Sequence, residues 1–428
     1  MMSAPRFREL SDWLSWQETL HPNAIDMGLE RVRAVLERLQ LATPPFRVLT
    51  VGGTNGKGSC VAMLDSILSA QGHKVGAYTS PHLLRYNERV SIAGRAADDA
   101  EFCDAFGRID AARGDISLTY FEFGTIAALD IFHRHQVDVA VLEVGMGGRL
   151  DAVNAIDPDG ALVASVGLDH QEWLGPDRDS IGFEKAGIYR NQRPAICGDR
   201  HPPARLVEVA QQAGADLRTL GRDFDWSRSG AGWRWQMGDD EITDLPEPAM
   251  RGRIQLDNAA SAIALLRAVP ELAVSPEAIR RGVAKASLAA RFQRIPGDVE
   301  LVFDVAHNPD AASVLAANLA ATPVSGKTLA VLGMFRDKAV EKVATLLAPH
   351  VDGWFLGGLE GARGQSAAEL AARVRSAVPN AVVNEQVNVN DAFDAAMAQA
   401  CKDDRVLVWG SFQTVAAVLQ HCSANGLT

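Results

Sequence analysis

The stretch that most constrains this chain is residues 46–59, FRVLTVGGTNGKGS. Phe46 to Val51 is a short apolar, β-branched run with the pattern of a buried strand. It gives way to Gly52-Gly53-Thr54-Asn55-Gly56-Lys57-Gly58-Ser59, and a helical apolar pattern through Val61, Leu64 and Leu68 follows at once. Glycines let backbone N–H groups approach phosphate oxygens, a helix N-terminus adds its dipole, and Lys57 adds positive charge. Ser59 is placed to hold Mg²⁺. The spacing departs from GxxxxGK[ST], because Gly58 separates Lys57 from Ser59. A plain glycine-rich βα turn is the competing interpretation; the flanking strand and helix favour a nucleoside triphosphate site.

An acidic protein that binds such a nucleotide must concentrate its positive charge locally, and the net charge here is −11. No basic stripe stands out, which argues against nucleic acid as a partner. At 428 residues the chain is too long for one ordinary core, so two domains are expected. The five cysteines (Cys60, Cys103, Cys197, Cys401, Cys422) are odd in number and lack CxxC spacing, as reduced packing residues do. The first ten residues lack the apolar core of a signal peptide, and no apolar run reaches membrane-spanning length. A cytoplasmic protein with no membrane partner is the expectation.

Along the chain, residues 9–41 read as two helices separated by His21-Pro22-Asn23, with Asp26 a candidate N-cap of the second. That second helix carries an apolar stripe through Leu29, Val32, Val35, Leu36 and Leu39, with arginines and glutamates opposite. Strands are expected near 74–79 and 89–93, and helices near 98–112 and 120–135. Val137 to Val144 is nearly unbroken apolar sequence, the mark of a central parallel strand buried on both faces, and Ala161 to Val166 looks alike. Residues 223–250, rich in Trp, Gly and acidic side chains, read as a small antiparallel excursion. Beyond the break at 290–298, apolar strands near 299–306, 328–333, 351–356, 381–384 and 405–410 alternate with helical segments, a second α/β domain of mostly parallel strands.

Open α/β sheets bind ligands beyond the carboxyl ends of their strands. The glycine loop, Glu143 and His170 all follow such ends. Glu143 can give Mg²⁺ a carboxylate, as in the second half of a P-loop metal site, or it can serve in a cap or salt bridge. His170 is a metal ligand or half of an Asp169-His170 loop pair, and Ser80, before Pro81, a ligand or a turn residue. In the second half, Asp304 can take a ribose or adenine contact and His307 can meet a carboxylate substrate, unless Asn308-Pro309 merely starts a helix. Arg291 can reach the nucleotide or remain a solvated arginine.

Taken together, these residues resemble the folylpolyglutamate synthase/dihydrofolate synthase family, within the wider group of Mur-type amide ligases. The resemblance spans nearly the whole chain. It is carried by GTNGKGS (53–59), TSPHLLRYNERV (79–90), TYFEFGT (119–125), EVGMGGRLDAVN (143–154), LDHQEWLG (168–175), EKAGI (184–188) and DVAHNPDA (304–311). The extra glycine before Ser59 is normal in that family. The resemblance implies an α/β protein with a P-loop Mur-ligase-type ATPase domain, residues 1–294, that also carries the dihydropteroate/folate site. A smaller Rossmann-like glutamate-ligase domain, residues 295–428, would follow. It also implies ATP and Mg²⁺ as cofactors, L-glutamate, dihydropteroate, tetrahydrofolate and its polyglutamates as substrates, and a monomer.

Carried over position by position, Thr54, Asn55, Gly56, Lys57, Gly58, Ser59, Asn258, Arg291 and Asp304 bind the nucleotide. Ser59, Ser80, Glu143 and His170 match the Mg²⁺ ligands. Asp26, Met27, Gly28 and Leu29, Thr119, Tyr120, Phe121 and Glu122, and Leu150, Asp151 and Ala152 match the dihydropteroate contacts of bifunctional members. Lys57, His170, Lys185 and His307 are the implied catalytic residues, with Lys185 carbamylated. Ala289-Ala290-Arg291-Phe292 departs from the Pro-Gly-Arg-Phe of some relatives.

The implied reaction forms an acyl phosphate from a pterin carboxylate and ATP, and the glutamate amine then attacks its carbonyl. Three alternatives stand beside it. A folylpolyglutamate synthase without the dihydropteroate activity is one. A ligase building a cell-wall precursor would ordinarily carry a further N-terminal domain, for which the roughly 45 residues before the glycine-loop strand are too few. A P-loop switch would need neither the second α/β domain nor the motifs at 143–154 and 304–309.

Overall fold

The run before the glycine loop becomes strand β1 (Arg47–Gly52), buried from Val48 onward. In the computed structural model, which describes residues 6–426, β1 lies inside an eight-stranded sheet. Its other members are β2 (Val75–Tyr78), β3 (Val90–Ile92), β4 (Arg95–Ala96), β5 (Val139–Glu143), β6 (Gly160–Val163), β7 (Pro194–Cys197) and β8 (Asp216–Thr219). The order is β4-β3-β2-β5-β1-β6-β7-β8; at one edge β3 pairs antiparallel with both β2 and β4, and the other pairings are parallel. Every residue of β5 is buried, as its unbroken apolar run requires of a strand covered on both faces. The strand order reverses beside β1, the place where open α/β sheets carry ligand sites.

Register brings the expected residues together. Val51 of β1 pairs with Glu143 of β5, and Gly52 with Val163 of β6, so the glycine loop and Glu143 leave the sheet side by side. The loop feeds the helix Lys57–Gln71, which ends at Gly72 in the left-handed region. Against it lies the helix Pro276–Lys285, at backbone-contact distance. A Cβ on Gly282 would stand 2.4 Å from Ile67 Cα, and Ser66 Oγ donates to the Gly282 carbonyl at 2.8 Å. An aromatic cluster of Trp13, Trp16, Phe106 and Phe123 joins the N-terminal helix Leu10–Leu20 to the helices Asp99–Arg113 and Tyr120–His135. The Trp-rich stretch forms an antiparallel meander of β9 (Phe224–Ser229), β10 (Gly232–Met237) and β11 (Asp240–Leu245), as its composition predicts.

Cα packing divides the chain into two units, Met1–Ala249 with Leu256–Ser287 and Met250–Gln255 with Leu288–Thr428. The second unit holds a six-stranded sheet of β12 (Gln293–Ile295), β13 (Glu300–Asp304), β14 (Thr328–Leu332), β15 (Gly353–Gly358), β16 (Val383–Asn388) and β17 (Arg405–Trp409). Its order is β12-β13-β17-β14-β15-β16, parallel except for β12. Trp354 and Trp409 are buried in its core.

One cap differs from expectation. The second helix spans Glu30–Arg38 with Leu29, not Asp26, at its N-cap. Asp26 lies in the preceding coil, and its carboxylate is drawn instead to Arg31, Nη1 to Oδ2 at 3.1 Å.

Candidate active site

The glycine loop is anchored from one side. Thr54 N donates to the Ser165 carbonyl (2.7 Å), Thr54 Oγ1 donates to the Gly167 carbonyl, and Asn55 N donates to Ser165 Oγ. Thr54 and Asn55 thus hold the loop to the segment after β6. The first-turn N–H groups of Lys57, Gly58 and Ser59 are beyond reach of any intrahelical carbonyl. Gly56 sits at φ +86°, and a Cβ there would come 2.7 Å from Asn258 Oδ1. Glycine at this position lets Asn258, on the helix Ile254–Ala268, close over the loop. That arrangement is what an anion-binding helix N-terminus requires.

Two lysines converge on one carbonyl. Lys57 Nζ donates to Gly53 O at 3.1 Å and to Thr54 O at 3.2 Å, and Lys185 Nζ donates to Gly53 O at 2.9 Å. Lys185 is 3% exposed, on the last turn of the helix Arg178–Ala186. Burial, with the charge of Lys57, pushes its pKa down to about 7, while Asp169 and Asp151 oppose the fall. Much of this amine is therefore neutral near physiological pH, the state able to add CO₂.

Glu143 is 4% exposed at the end of β5, and its Oε2 accepts the Ser80 N–H at 3.2 Å. The segment carrying Ser80 is itself clamped: the Glu88 carboxylate accepts the N–H groups of Leu83, Leu84 and Arg85 at 2.7–2.8 Å. Arg89 Nε donates to His82 Nδ1 at 2.9 Å. Ser59 is buried at the helix start. A buried carboxylate and a hydroxyl beside an anion-binding loop are hard donors that fit Mg²⁺, whose remaining ligands are ordinarily phosphates and water. His170 is exposed, in the left-handed region, capping the short helix Gln171–Leu174. Among the described residues no three His, Cys, Asp or Glu side chains group as a metal site.

The three stretches expected at the acceptor site also meet. Met27 Cε lies near Gly147, at 3.7 Å from a Cβ built there, and the Phe121 ring packs over Gly145 closely enough to exclude any Cβ. Asp151 is buried, its carboxylate accepting from Met146 N (2.9 Å) and Val153 N (3.0 Å); burial raises its pKa to about 6. Thr119 and Glu122 form a capping box on the helix Tyr120–His135. Leu150 and Ala152 flank Asp151, and Gly28 and Leu29 complete the coil before the second helix.

On the second unit, Asp304 ends β13 and accepts from Phe292 N and Ala306 N, both at 2.8 Å. Burial raises its pKa against the charge of Arg291. The Arg291 guanidinium lies 5.3 Å from the Phe412 ring, and the His307 ring 6.5 Å from it. His307 Nδ1 stands 2.8 Å from the Val305 carbonyl, which makes Nδ1 the protonated nitrogen. Asn308 caps the next helix as the sequence allows, accepting from Ala311 N. Ala290 and Phe292 take φ +58° and +46°, left-handed backbone that ordinarily favours glycine. Phe412, Arg31 and Glu88 are site-shaping residues that the sequence alone did not single out.

Comparisons with known proteins identify the family. Residues 51–266 match the Mur ligase middle domain, and residues 290–412 the glutamate ligase domain of Mur ligases. The chain is 46% identical to the dihydrofolate synthase/folylpolyglutamate synthase of Escherichia coli K12, over 97% of this chain and 96% of that one. The structure of E. coli FolC in complex with DHPP and ADP is 45% identical and superposes with a TM-score of 0.94, over 99% of this chain and 100% of that one. A bifunctional folylpolyglutamate synthase/dihydrofolate synthase with Mn, AMPPNP and L-glutamate bound gives 0.90 at 44% identity, over 98% of this chain and 100% of that one. No helix among the described residues is long and apolar enough to cross a membrane. The chain belongs to the Mur ligase superfamily and, within it, to the dihydrofolate synthase/folylpolyglutamate synthase family.

Proposed function

We propose that this protein joins L-glutamate to dihydropteroate, giving dihydrofolate, and to folylpolyglutamates, through an acyl-phosphate intermediate and at the expense of ATP. The observation that carries this is the register placing buried Glu143 beside the glycine loop, with the three acceptor stretches meeting in the same unit. Substrates of the named relatives point the same way.

A carboxylate acylates poorly because its leaving group is an oxide; transfer of the γ-phosphoryl group of ATP removes that obstacle. Protein assistance to that transfer is mainly positioning and charge neutralisation. Lys57 leaves its two carbonyls to meet phosphate oxygens, while Gly56, Gly58 and Ser59 offer backbone N–H groups. Thr54 and Asn55 keep the loop in shape, and Asn258 lies beside it. Ser59, Glu143, Ser80 and His170 would hold Mg²⁺, which supplies charge neutralisation at the transferring group. Carbamylated Lys185 would add an anionic oxygen. Asp26 to Leu29, Thr119 to Glu122 and Leu150 to Ala152 form the acceptor site. Arg291 and Asp304 are assigned to the nucleotide and His307 to the glutamate carboxylate. The division at 294/295, a cytoplasmic location and a monomer complete the proposal.

The test is phosphate release from ATP by the purified protein. Release should require both L-glutamate and a pterin carboxylate; release from ATP alone at the full rate would replace the ligase with a switch or an ATPase.

A further inference from the structure

Arg31 stands on the first turn of the second helix, on the side where the sequence pattern puts solvent-facing charge. Its side chain is only 27% exposed and all three guanidinium nitrogens are engaged. Nε and Nη2 donate to Glu122 Oε1 at 3.2 and 3.0 Å, Nη1 donates to Asp26 Oδ2 at 3.1 Å, and Nη2 also reaches the Asp26 carbonyl at 2.9 Å. Glu122, 4% exposed, accepts the Thr119 N–H at 2.7 Å through its other oxygen. Its carboxylate is thereby spent on Arg31 and on the helix cap, and a ligand would have to displace a charge-assisted pair to use it. Asp26 lies in coil, where no ladder or helix fixes the backbone. Among the described residues its side-chain partners are Arg31 and His21, whose Nε2 stands 3.3 Å from Oδ2.

From this we infer that Arg31 is a positioning residue of the acceptor site, a clamp that sets the Asp26–Leu29 coil against the N-terminus of the helix Tyr120–His135. The inference rests on the assignment of those two stretches to the pterin acceptor. Glu122 then acts through Arg31 and the cap rather than by touching the acceptor. A planar guanidinium suits the task, because a lysine ammonium is a point charge that cannot serve a carboxylate and a second carboxylate with its carbonyl in one fixed fork.

Steady-state kinetics of the full-length protein test this with Arg31→Ala, Arg31→Lys, Glu122→Gln and the double variant Arg31→Ala/Glu122→Gln. Arg31→Ala should raise KM for dihydropteroate and for tetrahydrofolate by about tenfold or more, the size expected when charged hydrogen bonds are lost. KM for ATP and kcat should stay within about twofold, and Arg31→Lys should recover part of the loss. The double variant should be no worse than Arg31→Ala alone. Unchanged acceptor KM in Arg31→Ala would overturn the clamp, as would a uniform fall in kcat with every substrate. Losses that multiply in the double variant would also overturn it, since Glu122 would then act independently. Should Arg31→Ala not fold, as judged by its urea transition, Arg31→Lys carries the same KM-against-kcat test. A wild type inactive with every pterin refutes the proposed function itself, whereas an active wild type with an unaffected Arg31→Ala refutes only the clamp.

Discussion

Replacing Lys185 with methionine keeps an unbranched side chain one atom shorter and removes a titratable amine from a site that is 3% exposed. In the unfolded chain this amine titrates near 10.5; in the native protein it titrates near 7, chiefly because of burial. Between those values the unfolded state binds one more proton, so native stability rises with pH by about 1.4 kcal/mol per pH unit. Below pH 7 both states hold the proton and the native state carries the whole cost, on the order of 5 kcal/mol. Loss of the Gly53 hydrogen bond in the variant offsets about 1 kcal/mol of this. Lys185→Met should therefore raise the urea midpoint of metal-free, CO₂-free protein at pH 7. Its advantage should shrink as the pH rises toward 9.5, a window above the titration of Asp151 near 6. The same variant should lose about a hundredfold or more in turnover, since the neutral amine adds CO₂ to give a carbamate and a proton, and methionine cannot. Bicarbonate should activate the CO₂-depleted wild type and leave the variant unchanged. Stability curves that run parallel across pH 7–9.5 would refute the depressed pKa. A nucleotide complex with a bare Lys185 amine remote from metal would refute the carbamate.

Lys57→Ala should abolish turnover with both acceptors at a cost of about 3–4 kcal/mol in transition-state stabilisation, with circular dichroism unchanged, because among the described residues its ammonium bonds the loop carbonyls of Gly53 and Thr54. Wild-type rates in a folded variant would refute its role. Glu88→Ala should free three backbone N–H groups, seen as faster hydrogen exchange at Leu83–Arg85 and a higher Mg²⁺ requirement; unchanged exchange would show that the clamp is dispensable. Gly282→Ala should destabilise the protein by about 2–3 kcal/mol, read from urea unfolding, because its Cβ meets Ile67 backbone at 2.4 Å.

Much of this architecture was legible because burial leaves a mark on composition. β5 and β14 are buried along their whole length and read as unbroken apolar runs. β16 is an edge strand with most of its residues facing solvent, so only its start near 383 carries a strand signal. β7 and β8 are four residues each and lie among prolines, glycines and charges that hide so short a pattern. Asp26 has the chemistry of an N-cap, but the pull of the Arg31 guanidinium is a tertiary effect that no local pattern reports. Arg31 is the mirror case: periodicity assigns it to the solvent face, and only the fold brings Glu122, 91 positions away, within reach. The strand, glycine loop and helix at 47–71 were legible in outline, since a left-handed Gly56 under Asn258 leaves no room for a side chain.

The central claim is tested most directly by incorporation of labelled L-glutamate, with ATP and Mg²⁺, into dihydropteroate and tetrahydrofolate side by side. One preparation should glutamylate both acceptors, with both rates lost together in Lys57→Ala. Incorporation into tetrahydrofolate but not dihydropteroate would contradict the dual assignment, and incorporation into neither would contradict the ligase.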